Sequence, residues 1–224
     1  MTLVNTVGIN ATPARNGVLR SRKTRGFSLL EMAIVLCLIM ICSGITFMSL
    51  QPSLKAARVD GAYNLSLMTM RQARQRAVDE RKTYIVTLVA PRTIQVSRQD
   101  GAVPPNPAPP PALVNTYVLA QDVSFNNEPG IPTTSTGTPD GFGVGSFAID
   151  LNVDNGGGSN AVYFRPDGGA YDQLGRVNNG VFYISRPGEL LSSRAISLFG
   201  LTGQLHGWRL QKNQTTGITS WITQ

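Results

Sequence analysis

The chain has 224 residues and a formal net charge of +7, with 20 basic residues, 13 acidic residues, one histidine and two cysteines. Residues 1–26 hold five of the basic residues and none of the acidic ones, so the rest of the chain is nearly neutral. The basic character is therefore weak evidence for nucleic-acid binding. With one histidine and no Ser or Cys nucleophile beside an evident partner, hydrolase triads and Cys/His zinc sites are poorly supported, so we expect no enzyme activity and no cofactor.

An apolar run extends from Phe27 to Leu50 and contains a single charged residue, Glu31. As a helix rising about 1.5 Å per residue, the run is long enough to span about 30 Å of hydrocarbon. The positive-inside rule keeps the basic leader in the cytoplasm and exports everything after Leu50, which makes the chain a single-span membrane protein. The basic residues that precede the run are Arg15, Arg20, Arg22, Lys23 and Arg25.

Glu31 needs an explanation, because a carboxylate is penalised in hydrocarbon and an ordinary anchor gains nothing from it. A signal anchor in which Gly26 and Glu31 have no role is the alternative that hydropathy alone leaves open. A cleaved secretory signal fits less well, because its apolar region is short and ends at a small-residue site. Both cysteines, Cys37 and Cys42, lie inside the run, so we expect the exported part to fold without disulfides.

A second helical pattern follows the apolar run. Pro52 is expected to interrupt or kink the helix at the membrane interface. Five basic residues between Arg71 and Lys82 are interpreted as a solvated helix face, with nucleic-acid contact as the alternative. Over residues 53–82, apolar residues recur at spacings of three and four, which predicts an amphipathic helix whose apolar face packs on a sheet. These positions are Val59, Tyr63, Leu67, Met70, Ala73 and Ala77.

After Thr83 the pattern changes to a period of two, which predicts strands. A proline-rich loop is predicted over 103–112, and the Gly-, Pro-, Thr- and Asn-rich stretch 126–145 is predicted to be a long surface loop or a weakly ordered excursion. A long N-terminal helix followed only by strands predicts an α+β protein in which the helix packs against an antiparallel sheet. The predicted strands lie at 84–89, 93–98, 113–120, 161–165, 181–186, 194–199 and 205–210.

The segment that starts at Asp150 begins like a calcium-binding loop. Asn155 stands where such a loop has glycine, and Ala161 stands where it has a bidentate glutamate. A polar turn is the preferred interpretation, and whether Asp150 and Asp154 bind calcium stays open. We interpret His206 as a surface or packing residue rather than a metal ligand.

The sequence Lys-Thr-Arg-Gly-Phe-Ser-Leu-Leu-Glu over 23–31 resembles the processing site of type IV prepilins and type II secretion pseudopilins. The resemblance implies that a prepilin peptidase cuts between Gly26 and Phe27 and that the new amino group of Phe27 is methylated. Glu31 then becomes the fifth residue of the mature chain, with a role in assembly. The implied parts are a leader over 1–26, a transmembrane helix over 27–52, an amphipathic helix over 53–82 and a periplasmic domain over 83–224.

Three later segments extend the resemblance to the GspH/FimT family of minor pseudopilins and minor pilins. They are Arg-Gln-Ala-Arg-Gln-Arg-Ala over 71–77, Val-Tyr-Phe-Arg-Pro-Asp-Gly over 162–168, and Arg-Ala-Ile-Ser-Leu over 194–198 with Gly203. The resemblance implies a pilin-like fold and a place in the bacterial inner membrane, with the C-terminal domain periplasmic, before entry into a pseudopilus or pilus. The implied partners are the prepilin peptidase, other pseudopilins or pilins, and the inner-membrane assembly platform.

Two function classes are compatible with this family. The chain is either a structural subunit that initiates or caps a type II secretion pseudopilus or a type IV pilus tip, or a FimT-like minor pilin that binds DNA during uptake. For DNA binding the resemblance implies a glycine-arginine-any-arginine motif near the C-terminus, where this chain has Gly203-Gln204-Leu205-His206. Both arginines are absent, so we expect a structural subunit without a nucleic-acid partner, although residues 161–224 hold six basic and three acidic residues.

Overall fold

The structure, a computed structural model, describes residues 26–100, 110–133, 137–143 and 146–224, without the side chains of residues 48–50. The predicted leader lies outside these residues except for Gly26, and so does most of the predicted proline-rich loop. Within the described ranges the chain forms one α-helix and eleven β-strands. It divides into two compact units, Met1–Met48 and Ser49–Gln224, and each is described by itself.

Helix α1 runs over Leu29–Glu80 and includes Pro52, so the expected interruption at this proline does not end the helix. The next residue, Arg81, takes the left-handed conformation with φ at 53°. The N–H of Lys82 then donates to the Ala77 carbonyl at 3.2 Å. A left-handed residue followed by this hydrogen bond is the Schellman arrangement, which satisfies one of the last carbonyls of the helix.

The part of α1 that belongs to the second unit is amphipathic. All six apolar positions predicted for its packing face are buried, which confirms that prediction. Ser66 and Thr69 are buried as well, and their hydroxyls donate to the carbonyls of Ala62 and Leu65 at 2.8 and 2.7 Å. These two polar side chains are therefore satisfied within the helix and fit an otherwise apolar surface.

The strands form two antiparallel sheets, consistent with the α+β fold class that the sequence predicts. The strands are β1 Thr83–Val89, β2 Thr93–Gln99, β3 Ala112–Val118, β4 Ser124–Phe125, β5 Ile149–Leu151, β6 Ala161–Phe164, β7 Ala170–Tyr171, β8 Gly180–Ser185, β9 Arg194–Phe199, β10 Gln204–Lys212 and β11 Thr219–Thr223. The first sheet has the order β3-β2-β1-β6-β7, and the second has the order β11-β10-β9-β8-β4, with β5 also pairing with β8. All seven predicted strands are present, whereas β4, β5, β7 and β11 were not predicted.

The main core is shared by the amphipathic part of α1 and both sheets, so the helix packs against antiparallel sheet as expected. Gly207 of β10 allows a close approach, because a Cβ at this position would lie only 1.5 Å from the hydroxyl oxygen of Tyr63. Strand β8 alternates between two clusters: Phe182 and Ile184 contact the main core, while Val181 and Tyr183 contact a second cluster. Apolar packing on both sides explains why every residue of β8 is buried.

Part of the segment predicted as a surface loop, 126–145, is buried, which corrects that prediction. Ile131 belongs to the second core cluster, and Phe142 packs against it. Glu128 is buried. Its carboxylate accepts hydrogen bonds from the Ser185 hydroxyl and the Gly188 N–H, both at 3.1 Å, which offset the cost of burying the charge. This segment therefore contributes to the core although it contains no strand among its described residues.

Candidate assembly site

The predicted processing site lies just before α1. Gly26 and Phe27 precede the helix, and the Phe27 side chain is 77% exposed. Apart from its chain neighbours, no described residue has an atom within 4 Å of the position that a Cβ on Gly26 would occupy. The peptide bond between these residues therefore lies outside the helix. Among the described residues, nothing next to Gly26 blocks approach to it.

Glu31 is exposed in the first turn of α1, where a negative charge is favourable to the positive end of the helix dipole. Its carboxylate has no hydrogen bond or ion pair with any residue that the structure describes. The remaining polar side chains of the segment include Ser43 and Thr46, whose hydroxyls donate to the carbonyls of Ile39 and Cys42 at 2.7 and 2.8 Å. Those hydroxyls have hydrogen-bond partners within the helix, whereas the Glu31 carboxylate has none among the described residues.

The first unit exposes apolar side chains all around the helix. A helix that is apolar on every side needs lipid or other apolar helices around it. By length and composition, α1 is the one helix among the described residues that could cross a membrane. The large exposed residues are Phe27, Leu29, Leu30, Met32, Ile34, Val35, Leu36, Leu38, Ile39, Met40, Ile41, Ile45 and Phe47.

Arg74 joins α1 to two turns of the second unit. Its Nε donates to the Gly168 carbonyl and one terminal nitrogen donates to the Thr202 carbonyl, both at 2.9 Å. Gly203 makes this contact possible, because its φ is +63° and a Cβ there would lie 2.1 Å from the Gly168 oxygen. The segments that carry the GspH/FimT resemblance at 71–77, at 162–168 and at Gly203 therefore meet at one guanidinium.

A second arginine, Arg194 of β9, ties the same helix to the second sheet. Its guanidinium is buried and lies 2.7 Å from the Asp60 carboxylate of α1. Its other terminal nitrogen donates to the carbonyls of Ser192 and Ser193 at 3.1 and 3.2 Å. The charge is thus both paired and hydrogen-bonded, as a buried cation requires. Its partner Asp60 is 134 residues away, so the local sequence gives no signal for this pair.

His206 is half-buried in a polar cluster that the sequence did not predict. Its Nδ1 lies 3.0 Å from the Asp140 carboxylate, which also accepts a hydrogen bond from the Ser197 hydroxyl. The Trp208 indole N–H donates to the same hydroxyl at 2.9 Å. In a catalytic triad the histidine stands between the carboxylate and the serine. Here the carboxylate stands in the middle, so His206 is not placed to activate Ser197.

The residues of the possible calcium loop have separate partners. Asp150 is buried and accepts a hydrogen bond from the Gly158 N–H at 3.0 Å. Asp154 accepts one from the Asn179 side-chain amide at 2.5 Å. The part of the chain that the structure describes contains no group of three or more His, Cys, Asp or Glu side chains that could hold a metal ion. The geometry is that of a polar turn held by side chains.

Comparisons with protein-family models, with curated proteins and with solved structures found no match.

Proposed function

We propose that the chain is a minor pseudopilin or minor pilin, a structural subunit that initiates or caps the pseudopilus of a type II secretion system or the tip of a type IV pilus. One observation carries the proposal. An apolar helix exposed on all sides begins just after Gly26 and Phe27, and the carboxylate in its first turn, Glu31, has no partner among the described residues. A lipid anchor needs the apolar surface but not the carboxylate, whereas a helix that joins a bundle has a use for both.

In the proposed pathway the precursor rests in the bacterial inner membrane with its C-terminal domain in the periplasm. A prepilin peptidase removes residues 1–26 and methylates the amino group of Phe27. Extraction by the assembly platform then brings apolar stems together in a head-to-tail, heterologous arrangement that can extend as a filament. Glu31 pairs with the positively charged amino group of Phe27 on a neighbouring subunit, which offsets part of the desolvation that each charge suffers.

The second unit supports a pilin-like fold in this proposal. Its helix packs against both sheets along the predicted apolar face. Arg74 fixes that helix to the carbonyls of Gly168 and Thr202, and the Asp60 carboxylate of the helix pairs with Arg194 of β9. A helix held in this way has one defined position on the sheets of the second unit, which suits a structural subunit.

The DNA-binding alternative receives less support from the second unit. The position that corresponds to the arginine motif carries Gln204 and His206, whose side-chain nitrogens lie 2.9 Å apart. His206 also lies 3.0 Å from the carboxylate of Asp140. A carboxylate next to this turn disfavours a phosphate backbone. Incubating labelled duplex DNA with the full chain at increasing salt concentrations tests the alternative directly.

Processing tests the proposed function. Co-expression with a prepilin peptidase should convert the wild-type chain to a form that lacks residues 1–26 and carries one added methyl group, as measured by intact mass. The Gly26→Val variant should remain a precursor, because a branched side chain beside the scissile peptide hinders close approach of the peptidase. Gly44→Val is the matched control, since it adds the same side chain inside the helix, where no described atom outside the neighbouring helix backbone lies within 4 Å of the new Cβ.

Two results would contradict this assignment. One is a wild-type chain that the peptidase leaves intact, and the other is a Gly26→Val chain that is still cut after position 26. The Gly44→Val control should be processed like wild type.

A further inference from the structure

The second unit has a groove near its first residues. The groove has a volume of about 600 Å³ and lies between the start of its helical segment, the short 3-10 turn Leu190–Ser192 and strand β10. Pro52, Lys55 and Ala56 line one side. Leu191, which is 50% exposed, lines the other side together with Arg209. The lining is thus largely apolar and also includes four charged side chains, which are Lys55, Glu189, Arg194 and Arg209.

The groove has an excess of positive charge. Of its charged residues, Glu189 pairs with Arg186 at 2.5 Å and Arg194 pairs with Asp60 at 2.7 Å. Lys55 and Arg209 have no ion pair or hydrogen bond with the described residues. Because the two paired residues are neutralised, Lys55 and Arg209 leave two uncompensated positive charges.

Arg209 is placed unfavourably in the absence of an anion. It is the direct register partner of Arg194 in the antiparallel pair of β9 and β10, so both side chains project from the same face of the sheet. Like charges directly opposite each other destabilise a sheet. Asp60 compensates Arg194, and a bound anion at the groove would compensate Arg209.

The chain keeps this groove close to any bilayer that holds the apolar run. Lys55 lies five residues after Leu50, the last residue of that run. Even a fully extended chain spans at most about 3.6 Å per residue, so Lys55 can be no more than about 18 Å from the end of the run. The headgroup region is several ångströms thick on each side of the hydrocarbon.

We propose that this groove binds the headgroup of an anionic phospholipid, with Lys55 and Arg209 contacting the phosphate and the apolar lining contacting the glycerol backbone. The charge of the groove favours an anion, and the five-residue link to the apolar run favours a lipid over a soluble anion. The inference requires the apolar run to lie in a membrane. It does not require the chain to be a pilin subunit, so it can fail without the proposed function failing.

The experiment uses the full chain in dodecyl maltoside micelles and follows thermal unfolding by tryptophan fluorescence, since Trp208 and Trp221 both lie in the second unit. Dihexanoyl phosphatidylglycerol, dihexanoyl phosphatidylcholine and inorganic phosphate are titrated separately. A ligand that binds the folded state raises the midpoint of unfolding. We expect phosphatidylglycerol to raise it, and phosphatidylcholine and phosphate at the same concentrations to leave it unchanged.

Variants then assign the effect to the groove. Lys55→Gln and Arg209→Gln should each weaken the apparent affinity for phosphatidylglycerol about fivefold, and the double variant about 25-fold. The matched control is Arg71→Gln with Lys212→Gln, which removes two exposed charges elsewhere and should stay within about twofold of wild type. All these chains carry the same basic leader, so its own attraction for anionic lipid cancels in the comparison. Without lipid, Arg209→Gln should unfold at or above the wild-type temperature, because it removes a like-charge contact.

Several results would overturn the proposal. Equal effects of phosphatidylcholine and phosphatidylglycerol would show that the headgroup charge is not recognised, and an equal effect of inorganic phosphate would show a simple anion site. A double variant that binds like wild type, or a control variant that loses as much affinity, would place the binding elsewhere. Self-association that the double variant abolishes, without any lipid preference, would assign the groove to a second copy of the chain.

Discussion

Arg74 shows how one side chain can hold three distant segments together. Each turn around Gly168 and Thr202 presents a carbonyl to the helix, and the planar guanidinium reaches both at 2.9 Å. Gly203 must be glycine for two reasons, since its φ is positive and a Cβ would collide with the Gly168 oxygen. The residue types that carry the family resemblance in these segments thus have a structural cause, independent of any function.

The first prediction follows from these two hydrogen bonds. Arg74→Ala should lower the free energy of unfolding by about 2 kcal/mol, because it removes two charge-assisted hydrogen bonds and leaves two carbonyls without their donor. Arg71→Ala is the control, since Arg71 lies one turn earlier on the same helix, is exposed and makes no hydrogen bond with the described residues. Urea unfolding of the full chain in micelles, followed by tryptophan fluorescence, measures both. Equal losses in the two variants would contradict the joining role of Arg74.

At the scale of elements, helical periodicity proved more informative than strand signals. Each of the six positions that the spacing of three and four predicted for the packing face is buried, because a helix has one face toward the core. The same spacing places Arg74 on that face, four residues after Met70 and three before Ala77, and this signal could have identified it. Strands β4 and β7 have two residues each, too short for a period of two to be detected.

Long-range polar pairs could not be predicted from the sequence. Asp140 contacts Ser197 and His206, which are 57 and 66 residues away, and nothing in the local sequence of a loop specifies such partners. Buried Glu128 is a similar case, because a carboxylate in a polar stretch is normally assigned to the surface. Its burial depends on donors from Ser185 and Gly188 that only the folded sheet provides.

Asp172 supplies the second prediction, which concerns the turn between β7 and β8. Burial raises the pKa of this carboxyl, but hydrogen bonds from the Arg176 N–H and side chain and from the Asn152 amide outweigh it, so the pKa lies below its usual value. A depressed pKa contributes stability that is present above the unfolded value of about 3.9 and is lost as the pH falls through the folded value. Asp172→Asn should therefore be less stable than wild type at about pH 6, with a difference that shrinks toward about pH 2.5.

Urea unfolding at the two pH values measures this difference. The asparagine side chain of the variant can still accept a hydrogen bond, so part of the turn is retained and the charge is what is tested. A gap between variant and wild type that stays constant from neutral to acid pH would show that the ionised form of Asp172 has no special role.

At the scale of the whole molecule, the two units have opposite surfaces. The described part of the first exposes apolar side chains on every side, whereas the second has two buried apolar clusters of its own. Both cysteines belong to the first unit, where they are free and exposed. The second unit therefore has the properties of a domain that folds without the first, and its stability depends on packing and polar contacts rather than on disulfides.

The third prediction is that residues 53–224 form a soluble monomer that unfolds cooperatively. Its midpoint of thermal unfolding should be the same with and without reductant, since it contains no cysteine. It should also be the same with and without EDTA, because Asp150 and Asp154 are held by protein donors. Circular dichroism and size-exclusion chromatography measure these properties. A large loss of melting temperature in EDTA would instead indicate that Asp150 and Asp154 bind calcium.

The last prediction concerns Glu31, which is the one charge of the apolar run and has no described partner within its own chain. An unpaired carboxylate is costly among apolar helices, so a partner from a neighbouring subunit should be essential for assembly but not for the earlier steps. Glu31→Leu should insert, be cleaved after Gly26 and fold its second unit, yet fail to crosslink to or co-purify with partner pilins. Glu31→Gln separates charge from size, because it keeps the shape and removes the ionised group, and it should fail in the same way. If Glu31→Leu enters filaments at the wild-type level, or if Glu31→Gln assembles while Glu31→Leu does not, pairing of opposite charges is not the role of this residue.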